Sequence, residues 1–353
     1  MNTKFSIEQL KDEIFMRVFS HIPVSSTKIQ KTPKKGLIIE MSPEFEQGRY
    51  NIPYYTKSSG YDRAICEFYQ VLENNFQNCD LSAFYKNLQT LKVKARKINL
   101  ADIISQRFTG TISPGEYNVK LNKMNLLDGD NQPIKGVTNH ELLHMASTKH
   151  TEDTIFCGFA QINKESKEKV GNALNEGYTE YLNKKYFNNT LPSTYANELV
   201  LSQGIELIVS SRKMEELYFS ADLNGLIEEL CKYTTRENAE NIITKMDEIE
   251  KDKRKPELKQ KEYRELRQEI ALVYLEKQQQ LLEQGLISEE TYYERKLMYA
   301  DVFVTDNIAI PEGAILTRTN NQLKIIGNTG VIVLDPKRYE TTKSQNVLPT
   351  SHK

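Results

Sequence analysis

The segment Thr138-Asn139-His140-Glu141-Leu142-Leu143-His144-Met145 contains the pattern His-Glu-x-x-His. If this segment is helical, His140 and His144 lie four residues apart, so their imidazole rings project from one face. Two neutral imidazoles at this spacing can bind one metal ion. Glu141 follows the first of them, where its carboxylate can reach a water molecule on that ion. The pattern therefore predicts a zinc site with an open coordination position, as a zinc hydrolase requires.

A second segment, Ala173-Leu174-Asn175-Glu176-Gly177-Tyr178-Thr179-Glu180-Tyr181-Leu182, offers carboxylates for the same site. Glu176 and Glu180 are again four residues apart, which places them on one face of a helix. Glu176 follows His144 by 32 residues, enough for a loop, a turn and the start of a second helix. A zinc site needs a third protein ligand beside the two histidines, and this segment can supply it.

Together the two segments resemble the gluzincin zinc metallopeptidases, the thermolysin-like group. In that family the second motif reads Asn-Glu-x-x-Ser-Asp; its Glu is the third zinc ligand and its Asp accepts a hydrogen bond from a ligand histidine. The resemblance, which covers about residues 115–185, implies that Glu176 is the third ligand and that Glu180 is the acceptor for His140. Thr179 and Glu180 depart from the family's Ser and Asp. The resemblance also implies a Zn²⁺ cofactor and a peptide or protein substrate.

Two other interpretations remain open. His150 stands where the metzincin pattern His-Glu-x-x-His-x-x-Gly-x-x-His has its third ligand, but Ser147 replaces the glycine that a chain reversal at positive φ favours. We therefore prefer Glu176 to His150 as the third ligand. The second alternative is a non-enzymatic interaction protein with a structural or vestigial zinc site, in which Thr138 and Glu141 form only a helix capping box. A purely structural site, however, has no use for Glu141.

If the site is catalytic, Glu141 is the expected general base. The oxyanion that forms during peptide hydrolysis needs a hydrogen-bond donor in addition to zinc. No histidine occurs between His150 and His352, so a tyrosine or an arginine must serve. Tyr195 is our first choice for this donor and Arg212 the second.

Composition excludes several other classes. The chain has 353 residues and a formal net charge of −1, so we expect no nucleic-acid partner. Its four cysteines form no Cys-x-x-Cys pair, and neither a cysteine zinc site nor a disulfide framework is predicted. The N-terminus lacks the features of a signal peptide, and no stretch approaches the roughly 20 apolar residues of a membrane span. We expect a cytoplasmic protein without a membrane span, although export by a route without an N-terminal signal remains an alternative.

The predicted fold class is α+β and mainly helical. It comprises a zincin-like catalytic domain with an active-site helix and a small sheet, then a helical hairpin and a small C-terminal β-meander. We divide the chain into a mostly helical N-terminal region (1–106), a zincin-like metallopeptidase core (107–232), a charged helical hairpin region (233–304) and a small β-meander with a polar tail (305–353). The thin apolar stripe of the hairpin can pack on the catalytic core, on another subunit or on a partner.

Three local expectations concern the core. Alternating apolar residues predict one strand over residues 116–126. The family resemblance implies that this strand lines the cleft and pairs with substrate, and an ordinary hairpin strand is the alternative. Residues 151–165 are expected to be a surface loop. Gly177 is expected to let its helix approach the histidine-bearing helix closely, because it carries no side chain.

Overall fold

The computed structural model describes residues 60–96, 115–129, 132–133, 135–189, 193–252, 259–303, 315–319, 322–327 and 330–334. This part of the chain is mainly helical with small sheets, which agrees with the predicted α+β class. Residues 1–59, more than half of the predicted N-terminal region, lie outside the described residues, as does the predicted polar tail after residue 334.

The described helices contain both sequence motifs and most of the hydrophobic core. They are α1 (Gly60–Asn75), α2 (Ser82–Leu88), α3 (Lys135–Ala146), α4 (Asn172–Phe187), α5 (Ala196–Val209), α6 (Ser211–Ser220), α7 (Leu223–Leu230), α8 (Arg236–Lys251), α9 (Gln260–Glu283) and α10 (Glu289–Phe303).

The described strands form three small sheets. They are β1 (Lys92–Arg96), β2 (Gly115–Asn118), β3 (Lys123–Gly129), β4 (Gln132–Pro133), β5 (Thr148–His150), β6 (Thr154–Cys157), β7 (Ala160–Asn163), β8 (Lys169–Val170), β9 (Ile315–Thr319), β10 (Gln322–Gly327) and β11 (Gly330–Leu334). In the first sheet β3 lies between a parallel β1 and an antiparallel β2, and β4 pairs with the end of β3. Strands β5–β8 form an antiparallel meander, and β9–β11 form another where the sequence predicts one.

The His-Glu-x-x-His motif lies on α3, a helix buried along most of its length. Leu142, Leu143 and Met145 are fully buried, and the helix packs against α1, α2, α4 and β2. Burying each such side chain contributes about 1.5–3 kcal/mol, so this helix is anchored by its apolar residues. It ends where the hydroxyls of Ser147 and Thr148 donate to the carbonyls of Leu143 and His144, at 3.0 and 2.7 Å.

Helix α4, which carries the second motif, is fixed by two neighbouring helices. Its N-cap residue, Gly171, has no side chain, and Asp247 of α8 caps the helix instead. The Asp247 carboxylate accepts the backbone N–H groups of Gly171 and Ala173, at 2.7 and 2.9 Å. Gly177 faces α5, where a Cβ atom would lie 2.3 Å from the carbonyl oxygen of Glu198. The expectation that Gly177 lets α4 approach the histidine-bearing helix is therefore wrong, because its close neighbour is α5.

Two further expectations need correction. The predicted single strand over residues 116–126 is a hairpin of β2 and β3, since the chain reverses between them. Asn122 adopts φ 46°, and the Asn118 side chain accepts the Leu121 backbone N–H at 3.1 Å, which together stabilise the turn. The predicted loop over residues 151–165 contains strands β6 and β7. Its apolar side chains, among them Ile155 and Cys157, are buried on the inner face of that sheet.

One hydrophobic core runs through the described helices, from Ile65 in α1 to Tyr299 in α10. Helix α9 of the predicted hairpin region packs on α5, and α8 packs on α4. Among the described residues, none of the helices is both long enough and apolar enough to cross a bilayer.

Candidate metal centre

Three side chains from two crossing helices converge on one point. The Nε2 atoms of His140 and His144, both on α3, lie 3.1 Å apart. The Oε2 atom of Glu176, on α4, lies 3.2 Å from each of them. Helical spacing explains the pairing of the two imidazoles, and the packing of α4 on α3 brings the carboxylate to them.

The spacing and chemistry of this group fit a zinc ion. Zinc is bound by histidine nitrogen and carboxylate oxygen at about 2.0–2.2 Å in a tetrahedral arrangement, which places neighbouring ligand atoms about 3.3 Å apart. The three separations of 3.1–3.2 Å are close to this value. Two histidines and one glutamate also form the donor set of catalytic zinc sites that keep a fourth position open.

Glu180 contacts Nδ1 of His140, the ring nitrogen that points away from Glu176. The Glu180 Oε2 atom lies 3.1 Å from His140 Nδ1, so this ring nitrogen can donate to the carboxylate while Nε2 faces Glu176. The amide of Asn189, 3.3 Å from Oε1, and the ammonium of Lys184, 3.6 Å from the same atom, fix the carboxylate in turn. Such an acceptor orients a ligand histidine and raises its basicity.

The two histidines and Glu176 shift one another's pKa values. Burial by itself would lower the pKa of His140, but hydrogen bonds with Glu176 and Glu180 outweigh it and raise that pKa to about 9. Burial likewise opposes a charge on His144, yet the Glu176 carboxylate raises the pKa of His144 well above its ordinary value. The imidazoles in turn hold the pKa of Glu176 below its ordinary value, despite the burial of its carboxyl. A carboxylate that stays ionised beside two imidazoles is suited to a divalent cation.

Glu141 lies beside the converging group, on the same helix. Burial raises the pKa of its carboxyl, and the backbone N–H of Tyr117 on β2 donates to it. Gly115, at the start of β2, passes so close that a Cβ atom there would lie 3.0 Å from Glu141 Oε1. A buried carboxylate with a raised pKa, next to a group that could hold a metal ion, has the properties of a general base.

Tyr195 lies over His140, and the other two candidate residues lie elsewhere. The rings of Tyr195 and His140 are stacked, with centroids 6.0 Å apart and planes 10° from parallel. The Glu176 carboxylate is the main cause of the raised pKa of Tyr195, so the Tyr195 hydroxyl lies within the field of that carboxylate. Arg212 is mostly exposed and pairs with Glu216 at 3.0 Å. His150 is exposed on strand β5 and is not part of the converging group found among the described residues.

Sequence reasoning missed the neighbours of the second histidine. The Nδ1 atom of His144 lies 3.2 Å from the Asn175 Nδ2 atom and 3.6 Å from the Cys157 Sγ atom. Asn175 immediately precedes Glu176, so its place in the second motif is a usable signal. Cys157 belongs to the segment expected to be a loop, and nothing in its local sequence indicates its position.

The chain was compared with protein-family profiles, with curated proteins and with solved structures, and none of the three comparisons finds a match.

Proposed function

We propose that this chain is a zinc-dependent peptidase of the gluzincin type, with a zincin-like catalytic core. The observation that carries the proposal is the convergence of His140, His144 and Glu176 beside Glu141. The first three would hold the ion, and Glu180 would orient His140. Strand β2 runs beside Glu141 and, among the described residues, lies at the edge of its sheet, which supports a cleft in which an extended peptide lies against α3.

Zinc at this site would supply a Lewis acid that lowers the pKa of a water molecule and polarises the carbonyl of the scissile peptide bond. Glu141 accepts the proton of the attacking water on its carboxylate and passes it to the nitrogen of the leaving amine. The Tyr195 hydroxyl donates a hydrogen bond to the carbonyl oxygen as negative charge develops there. Burial raises the pKa of the Glu141 carboxyl, in the direction that favours a proton-accepting role.

The test is a comparison of zinc content with peptide hydrolysis. We expect the purified protein to bind zinc and to cleave casein or a mixed peptide library, with cleavage blocked by a chelator. Glu141→Gln should retain zinc and lose hydrolysis, because the amide cannot accept the proton. Glu152→Gln, the same change at an exposed position, is the matched control and should behave as wild type.

Three other results would change or contradict the proposal. Hydrolysis by Glu141→Gln at the wild-type rate would remove Glu141 from the role of base. Zinc binding without cleavage of any peptide in the library would favour a non-enzymatic zinc protein over a peptidase. A protein that binds no zinc would contradict the proposal entirely.

A further inference from the structure

The far side of the His144 ring has an unusual set of neighbours, and the inference drawn from them rests on the proposed zinc site. If Nε2 of His144 ligates the ion, that nitrogen is unprotonated and the proton of the neutral imidazole is on Nδ1. The ring is buried, so this N–H group needs an acceptor within the protein.

In the amide orientation of this structure, Asn175 does not supply this acceptor. Its Oδ1 atom accepts the backbone N–H of Phe159 at 3.2 Å, which directs the amino end of the amide towards His144. The Nδ2 atom therefore lies 3.2 Å from His144 Nδ1, and both of these atoms are donors. Reversing the amide would give His144 an acceptor but would leave the buried N–H of Phe159 facing a donor.

The remaining neighbour is the sulfur of Cys157, a residue only 3% exposed. Its Sγ atom lies 3.6 Å from His144 Nδ1 and 3.9 Å from Asn175 Nδ2, both within range of a hydrogen bond to sulfur. The thiol donates its own proton to the carbonyl oxygen of His144 at 3.5 Å. The sulfur thus has its lone pairs free for the two N–H groups that point at it.

We propose that Cys157 is a positioning residue of the metal centre: its sulfur accepts the Nδ1 proton of His144 and so fixes the tautomer that turns Nε2 to the ion. The fold explains how Cys157 comes to this place. Strand β5 follows α3 almost directly, and Cys157 on β6 pairs in register with Thr148 on β5. The two ligand histidines are therefore held unequally, His140 by a carboxylate and His144 by a weak sulfur acceptor.

The first arm of the test is zinc affinity, measured by competition with a chromogenic chelator. Cys157→Ala removes the acceptor, and we expect it to weaken zinc binding by about tenfold, the lower end of the effect of losing such a partner. Ile155→Val is the matched control, because Ile155 is similarly buried two residues earlier on the same strand and its side chain carries no polar atom. It should leave zinc affinity unchanged.

The second arm is the ring proton itself, which reports the tautomer of His144 directly. The chain has five histidines, so ¹⁵N-histidine labelling gives a simple spectrum. In the zinc-loaded wild type we expect a His144 Nδ1–H signal with a nuclear Overhauser contact to the Cys157 β-protons. In Cys157→Ala this signal should shift and exchange faster with water, whereas in Ile155→Val it should not.

Two results would overturn the inference. One is a Cys157→Ala protein with unchanged zinc affinity and an unchanged Nδ1–H signal, which would assign the acceptor to a reversed Asn175. The other is a wild-type spectrum in which Nδ1 of His144 carries no proton. This result needs no variant, so the test remains decisive even if Cys157→Ala fails to fold. Failure of the zinc proposal is distinguishable, because the wild type itself would then bind no zinc.

Discussion

At the scale of single residues, each ligand histidine in the proposed zinc site has a different partner behind it. His140 has the Glu180 carboxylate at 3.1 Å, and His144 has the sulfur of Cys157 at 3.6 Å. Glu176 is the only carboxylate within 3.2 Å of both Nε2 atoms among the described residues. Substitution of Glu176, compared with substitution of His150, should therefore show which of the two is the third ligand.

Glu176→Ala should lose most of its zinc, because only two protein ligands remain. His150→Ala should keep zinc at the wild-type level, since His150 is exposed on β5 and lies outside the converging group. Zinc per protein chain, measured by mass spectrometry after dialysis, compares the two variants. Loss of zinc from His150→Ala, with retention by Glu176→Ala, would favour the metzincin alternative.

Tyr195→Phe tests the proposed oxyanion donor. The phenyl ring can keep the stacking on His140, so zinc content should not change. The turnover number should fall by about 10²–10³, with a smaller change in KM, because the lost hydrogen bond acts mainly in the transition state. Steady-state kinetics on a peptide cleaved by the wild type measures both quantities. A turnover number equal to that of wild type would exclude this role for Tyr195.

The sequence predicted the three converging residues and the acceptor for His140, but not the neighbours of His144. His140, His144, Glu176 and Glu180 follow from helical spacing and from a family resemblance, both of which are local in sequence. Cys157 could not be found in this way, because its contact with His144 depends on how β6 pairs with β5. Such a contact is decided by sheet packing, which leaves no spacing pattern.

At the scale of elements, the position of the proposed third ligand depends on helices outside the motif. Helix α4 has its N-terminal N–H groups capped by Asp247 of α8. On its other side, Gly177 allows α5 to approach so closely that a Cβ atom would lie 2.3 Å from a backbone oxygen. Helix α8 contributes no ligand itself, but by capping α4 it helps to fix the position of Glu176.

Asp247→Ala should destabilise the protein by about 0.5–2 kcal/mol, the typical effect of losing an N-cap side chain. It should also weaken zinc binding, because the start of α4 lies only a few residues from Glu176. Urea denaturation and chelator competition measure the two effects. Glu248→Ala changes the exposed neighbour on the same helix and should alter neither quantity. Equal effects of the two substitutions would contradict the capping role.

The motif-bearing helices and the C-terminal β-meander were predictable from the sequence, whereas the turn in residues 116–126 and the strands β6 and β7 were not. The motif helices α3 and α4 lie where the four-residue spacing of the paired histidines and glutamates predicts helix. The strand predicted over residues 116–126 is instead a hairpin. Apolar residues alternate on both sides of the turn at Asn122, so their pattern alone does not reveal the turn. Strands β6 and β7 have only four residues each, too few for alternation to distinguish them from a loop.

At the scale of the whole molecule, helices α8 and α9 of the charged hairpin region pack on α4 and α5, the helices around the proposed site. Tyr263 of α9 donates from its hydroxyl to Glu198 of α5. Lys277, also on α9, donates to the carbonyls of Leu207 and Ile208 at the end of α5, at 3.3 and 2.5 Å. The sequence left three partners open for the apolar stripe of these helices, and the structure shows α9 packed on α5.

Lys277 should give the stability of the molecule a distinct pH dependence. Burial and the nearby charge of Arg295 lower the pKa of Lys277 from 10.5 to about 8. Below pH 8 both the folded and the unfolded chain hold this proton, so Lys277 adds no pH dependence there. Between pH 8 and pH 10.5 the unfolded chain holds more protons, and the contribution of Lys277 to the free energy of unfolding rises with pH.

The measurement is the difference in free energy of unfolding between wild type and Lys277→Met, from urea denaturation at several pH values. This difference should shift in favour of the wild type as the pH rises from 8 to 10.5. The subtraction removes the contribution of titrating groups that do not interact with the Lys277 ammonium. Lys261→Met, at an exposed position, should give a difference that does not vary with pH. A flat or falling difference for Lys277→Met would contradict the lowered pKa.

The most direct test of the zinc site is anomalous diffraction at the zinc absorption edge from crystals of the zinc-loaded protein. We predict a peak about 2.0–2.2 Å from His140 Nε2, His144 Nε2 and a Glu176 carboxylate oxygen. A zinc peak that lies away from Glu176, or no peak between the two histidines, would contradict the account.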